Sequence, residues 1–224
     1  MKTFQLGREI DLLEKYPKSK RNLDERSINK TEKDRLTARK FGKDFFDGDR
    51  KHGYGGFSYN AKYWSEVVKT FQNYWNLSKN SSILDIGCAK GFMLYDFISL
   101  IPDIKVKGID ISSYAIENSM PSVKKYLSVC DAKKLPFLDN SFDYVISINT
   151  IHNLVKNDCA KALKEIQRVS KCGSFITVDA YRNETEKERM YKWNLTAKTI
   201  MSVDEWKIFF AENGYTGDYY WFIP

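Results

Sequence analysis

An α/β fold built on a doubly wound, mostly parallel sheet is the class this sequence predicts. Three observations carry it. Short aliphatic runs alternate with helical-period segments between residues 81 and 182, the rhythm of parallel strands joined by helical crossovers. The runs, such as "SILDI" and "FDYVIS", are apolar with little alternation, as strands buried on both faces are. The first run leads through a glycine turn, "GCAKG", directly into a helical pattern. A chain of 224 residues suits one such domain with an appendage.

In chain order, residues 1–60 form the appendage and 61–224 the main domain. Ile28, Leu36, Phe41 and Phe45 recur at helical spacing within 26–46, which predicts one helix with a single apolar stripe. "FFDGDRKHGYGGFSYNAKYW" has many glycines and aromatics but no period, and predicts a loop. Trp64, Val67, Val68, Phe71 and Trp75 then mark one face of a helix over 61–75. After the strand at 82–86 and the turn, Phe92, Leu94, Tyr95 and Ile98 return to helical spacing. "VKGID" is a second strand followed by a helix, and "FDYVIS" the fourth strand. "ALKEIQRVSKCGSFITVDAYR" predicts a helix, a turn at Gly173 and a fifth strand. A helical insertion over about 184–201 follows, anchored by Met190, Trp193, Leu195 and Met201. Ser202 and Gly214 bracket a last helix, and "TGDYYWFIP" supplies one final strand.

The turn carries chemistry. Gly87 and Gly91 permit tight curvature and close approach of a ligand to backbone. In the dinucleotide register G-x-G-x-x-G the three positions are Gly87, Ala89 and Phe92. Phe92 cannot be the glycine that lets helix and strand pack closely, so a nicotinamide dinucleotide fits poorly. Asp85, two residues before Gly87, would repel a pyrophosphate and welcome an ammonium group. S-adenosylmethionine carries one.

"ILDIGCAKGFML" resembles motif I of the class I S-adenosylmethionine-dependent methyltransferases, an acidic residue followed by G-x-G-x-G, with Ala89 in place of a glycine. The later segments agree in order, and the likeness spans about 81–182. It implies S-adenosylmethionine as cofactor and a Rossmann-like sheet of the seven-stranded methyltransferase type. That family normally ends in two antiparallel strands, so this chain reads as one strand short at the C-terminal edge. The resemblance places Asp85 on the cofactor amine, with Gly87, Cys88, Ala89 and Gly91 as the turn around it. It places Asp110 on the ribose hydroxyls and Asp131 on the adenine amino group. Ile111 and Ala132 become apolar walls, and Asn149 a further cofactor contact. Each has a plainer reading: Asp85 and Asp131 as turn acids, Asp110 as a helix cap beside Ser112 and Ser113.

Composition bounds the rest. The net charge of +7 is spread through interleaved acids and bases in the N-terminal region, as on a solvated helical face, which argues against nucleic acid. Nothing approaches the length of a bilayer-crossing run, and the charged start does not read as a signal peptide. These features predict a cytoplasmic protein without a membrane partner. Cys88, Cys130, Cys159 and Cys172 form no C-x-x-C pair and only two histidines are present, so no metal site is predicted. Oligomeric state is left open.

Because a sulfonium is already an excellent leaving group, alignment supplies much of the catalysis, and a hydroxyl acceptor adds the need for a base. Groups at the carboxyl ends of the fourth and fifth strands are the candidates. They are His152, favoured for its pKa, with Asp179 and Tyr181 as alternatives; His52 is a more distant one. His52, Tyr54, Phe57 and Tyr59 are read as acceptor-lining residues of a loop folding over the cofactor; the plainer reading is a packed surface loop. "SINTIHNL" lacks the N/D-P-P-Y/F motif of methyltransferases acting on DNA or a glutamine amide. A small-molecule acceptor methylated on oxygen is expected: a sugar, nucleotide-sugar, phenol or carboxylate. The alternatives are an RNA or protein methyltransferase, or a cofactor-dependent cyclisation or elimination without methyl transfer.

Overall fold

The computed structural model describes residues 6–17 and 30–224. Helix α1 (Glu32–Ala38) is short and closed by a capping box between Thr31 and Asp34. The single helix expected over 26–46 is broken: Phe41 turns left-handed at φ 48°, Gly42 follows, and α2 (Lys43–Phe46) is one further turn. Ile28 of the expected stripe lies outside the described residues. Helix α3 (Ala61–Trp75) starts at an Asn60 cap and buries Val67, Val68 and Phe71.

The sheet follows. Strands β1 (Ser82–Ile86), β2 (Lys105–Asp110), β3 (Leu127–Val129), β4 (Phe142–Ile148) and β5 (Ser170–Tyr181) stand in the order β3-β2-β1-β4-β5, every pair parallel. The crossovers carry α4 (Phe92–Leu100), α5 (Ser113–Glu117) and α6 (Lys156–Val169). Strand β5 starts directly at the end of α6, so Gly173 lies inside the strand rather than in the expected turn. The irregularity is taken up by a register shift between Phe142 and Tyr144, beside the Ser170 to Gly173 Oγ–H···O bond of 2.6 Å.

Beyond β5, helix α7 (Glu184–Trp193) covers only the first half of the predicted helical insertion. Strand β6 (Met201–Ser202) pairs with Ala180 and Tyr181. Helix α8 (Val203–Glu212) carries a Ser202–Glu205 capping box, and β7 (Asp218–Phe222) returns parallel to β5, from Phe175–Asp218 to Asp179–Phe222. Residues 8–10 then pair with β7: Ile10 N–H reaches Tyr219 O at 3.0 Å, and Tyr219 N–H reaches Arg8 O at 3.0 Å. The far edge is thus a parallel strand covered by the N-terminal segment, which hides ladder groups that would otherwise be open.

Two apolar layers sandwich the sheet. Helices α6 and α8 pack Leu163, Ile166, Trp206 and Phe210 on one face. Helices α3 and α4 pack Val68, Phe71, Leu94 and Phe97 on the other. With both faces filled, the carboxyl ends of the strands are where ligand chemistry can gather.

Candidate active site

The turn after β1 is held by backbone. Gly87 lies at φ 85°, and its N–H and that of Cys88 both donate to Ile109 O, at 2.8 and 3.0 Å. A Cβ on Gly87 would stand 2.0 Å from Thr150 Oγ1, so the loop after β4 packs against bare backbone there. Ala89 holds φ 49°, a left-handed conformation costly for a residue with a Cβ. Its N–H donates to Asp110 Oδ2 at 2.8 Å, while Asp110 Oδ1 accepts from Ser112 N–H at 2.8 Å. The Ile111 N–H also favours the charged carboxylate, and the acceptor capacity that remains is what a ribose hydroxyl would use. Ser112 Oγ also caps α5, accepting from Ala115 N–H at 3.0 Å, so the capping duty falls to the serine and not to Asp110.

Asp85 is 4% exposed, and no hydrogen-bond donor among the described residues reaches its carboxyl group. Burial first, then the charge of Asp110, pushes it up to about 8. A buried acid with no donor, beside a second acid, gains most from an incoming cation. An ammonium group satisfies it, and S-adenosylmethionine carries one. Ile111 is 57% exposed at the end of β2, and Ala132 is partly buried against the core, an open apolar face and a wall. Asp131 serves its own turn, accepting from Lys133 N–H at 2.9 Å with Lys133 Nζ 3.3 Å away. Exposed Asn149, at φ 49°, exchanges two hydrogen bonds with Thr177: its N–H reaches Oγ1 at 3.0 Å and its Oδ1 accepts from that hydroxyl at 3.0 Å.

The β4–β5 end is filled differently. His152 is 3% exposed, and its Nδ1 accepts from the backbone N–H of Asp179 at 2.9 Å. Burial lowers its pKa against the opposing Asp179 charge, so the ring is neutral, and the bond pattern assigns its proton to Nε2. Its one lone pair is therefore engaged, and the ring offers a donor where the sequence suggested a base. The carboxylate of Asp179 lies 3.7 Å from Nδ1, and Asp179 O accepts from Trp206 Nε1–H at 3.0 Å. Burial, then Glu205, raises the Tyr181 hydroxyl above its ordinary value. His152 O also accepts from Lys198 and Thr199 N–H at 3.0 Å, pinning the segment after α7.

The appendage spans between these two ends. Phe57 stacks on Phe92 at 4.8 Å, and Tyr54 packs against Phe45, Phe46 and Phe57. Tyr59 donates to Asp96 at 2.5 Å, which holds the end of the loop on α4. His52 Nε2 meets Asp34 Oδ1, on α1, at 3.0 Å. On the far side Arg35 donates to Asn194 O, Arg39 Nε to Thr196 O at 3.4 Å, and Lys30 Nζ to Trp193 O at 2.7 Å. On the near side Ser112 Oγ donates to Phe41 O at 2.5 Å. Asp47 gathers three donors: Lys90 Nζ at 2.7 and 2.9 Å, Tyr114 Oη at 2.7 Å and Phe57 N–H at 2.9 Å. Sequence reasoning passed over Asp47, Lys90, Tyr114 and Arg35. The one available signal was Lys90, a long cation inside a glycine turn. A cleft of about 320 Å³ lined by Arg8, Tyr74, Trp75, Tyr144 and Cys172 lies at the amino ends of the strands, away from all these groups.

Among the described residues no helix is long and apolar enough to cross a membrane, and no cluster of three metal-ligating side chains occurs. A family model described as a methyltransferase domain matches residues 77–214. A tRNA (carboxymethyluridine(34)-5-O)-methyltransferase of Arabidopsis thaliana is 33% identical over 145 residues, covering 64% of this chain and 33% of that protein. A demethylmenaquinone methyltransferase of Roseiflexus is 32% identical over 96 residues, 42% of this chain and 40% of that one. The chain thus spans well under half the length of either relative. The YcgJ protein of Bacillus shares the fold at TM-score 0.54 and 19% identity, covering 65% of this chain and 66% of that one.

Proposed function

The chain belongs to the class I S-adenosylmethionine-dependent methyltransferases, and we propose that it carries the methyl group to an oxygen of a small-molecule acceptor. The observation that carries this reading is the strap of residues 30–60. It is tied to the glycine turn through Asp47 and to the 193–196 segment through Lys30, Arg35 and Arg39. A strap tied at both ends of the strand tips suits a compact acceptor better than a folded macromolecule.

Asp85 would hold the cofactor amine and Asp110 the ribose, with Ile111 and Ala132 beside the adenine and Asp131 at its amino group. The cofactor supplies an activated methyl on sulfur. The chain's own contribution is alignment and exclusion of water, with Tyr54 and Phe57 facing the acceptor. Of the three candidate bases, Asp179 fits best: the His152 lone pair is engaged, and a raised Tyr181 hydroxyl gives up its proton less readily. His152 then acts as a positioning residue, holding the Asp179 backbone.

A tRNA acceptor is the second reading. It is favoured by the Arabidopsis relative and by Lys33, Lys40 and Lys43, which are exposed on the strap. Incubating the protein with methyl-labelled S-adenosylmethionine and cell extract separates the two. Label in acid-soluble small molecules, with S-adenosylhomocysteine as co-product, supports the proposal. Ribonuclease-sensitive precipitable label supports tRNA instead. Methylthioadenosine as the only cofactor product would overturn both.

A further inference from the structure

Lys90 sits where a cation is least expected, within the turn that receives a cationic cofactor. It is 7% exposed, between left-handed Ala89 and Gly91, the residue that opens α4. Its three ammonium protons are all placed, on the two carboxylate oxygens of Asp47 at 2.9 and 2.7 Å and on Phe57 O at 2.8 Å. Asp47 comes from the strap, 43 residues earlier, and also takes Tyr114 Oη and Phe57 N–H. Burial would raise the Asp47 carboxyl, but Lys90, the Phe57 N–H and Tyr114 outweigh it and hold the group below its ordinary range.

We propose that Asp47 is a positioning residue and counter-charge for the cofactor turn, selecting the cationic methyl donor over its neutral product. This rests on the methyltransferase reading above. The physical reason is short-range electrostatics at low dielectric. S-adenosylmethionine carries one positive charge more than S-adenosylhomocysteine. An unneutralised Lys90 ammonium beside the turn repels the donor and leaves the product nearly unaffected. With Asp47 in place, Lys90 contributes little net charge and Asp110 dominates the local field. The same carboxylate joins the strap to the turn, and Ala89, next to Lys90, donates to Asp110. The strap therefore sets both the charge and the geometry of the site.

The test is a double-mutant cycle on donor and product affinity, read by calorimetry at constant pH and salt. Asp47→Asn should weaken S-adenosylmethionine about tenfold or more and S-adenosylhomocysteine at least threefold less, narrowing the preference for the donor. Lys90→Met, which leaves Asp47 uncompensated, should shift the ratio towards the donor. The double variant should return it to within about twofold of wild type. Equal losses for both ligands in Asp47→Asn, or a double variant that keeps the shifted ratio, would overturn the proposal. If Asp47→Asn does not fold, the direction of the Lys90→Met shift decides alone. A wild-type protein that binds neither ligand would instead sink the functional reading beneath it.

Discussion

At the β1–β2 end, Asp85 is buried with no donor among the described residues, and Asp110 leans on backbone N–H groups of its own turn. At the β4–β5 end, His152 is taken up by the Asp179 N–H, Asn149 by Thr177, and the Asp179 backbone carbonyl by Trp206. The first end is a receptor with open electrostatic demand. The second is a scaffold whose polar groups hold one another. A substitution at the first should therefore read out in binding, and one at the second in stability.

The largest expected effect is at Asp110. Asp110→Ala removes the acceptor of Ala89 N–H along with the charge-assisted ribose bonds, about 1.5–3 kcal/mol each. Affinity for S-adenosylhomocysteine should fall at least about a hundredfold in calorimetry. Binding unchanged within threefold would remove the ribose role.

The matching substitution at the other end is His152→Ala. It leaves a cavity and an unpaired Asp179 N–H, and should cost about 2–4 kcal/mol in urea unfolding. Cofactor affinity should change less than threefold. If turnover instead falls a hundredfold while unfolding is untouched and the rate loses its acid limb, the ring is a base after all.

The two ends should also have opposite pH signatures. The Asp85 carboxyl is raised from 3.8 to about 8 in the fold. The stability it contributes is present at pH 4 and is lost as pH rises towards 8. The His152 pKa is lowered from 6.5, so its contribution is present above that value and is lost as pH falls below it. Melting followed across pH should show Asp85→Asn flattening the alkaline limb and His152→Gln the acid limb. Cofactor binding near pH 7 should also release a proton from Asp85, seen as a buffer-dependent heat. Equal heats in buffers of different ionisation enthalpy would count against the amine contact.

The smallest effect is at Ala89. Ala89→Gly relieves a left-handed residue and should stabilise the protein by up to about 1 kcal/mol without harming cofactor binding. A loss of stability would mean that the turn favours the Cβ for packing.

What the sequence alone determined here is whatever repeats within a short window. Strands β1, β2 and β4 and helices α3, α6 and α8 announce themselves by periodicity and caps, and motif I by residue type and spacing. Tertiary structure decided what depends on partners distant in the chain. The Phe41 break falls one residue before Gly42, on a residue with no local reason to turn left-handed, and the bond from Ser112 to Phe41 O ties it to a partner far along the chain. The direction of β7 depends on pairing with β5, some forty residues earlier. Whether His152 has a lone pair to give depends on a backbone N–H 27 residues away, and whether Lys90 is a charge or a neutralised strut depends on Asp47. Residue type tells what a group can do; only its neighbours tell which of its lone pairs and protons are still available.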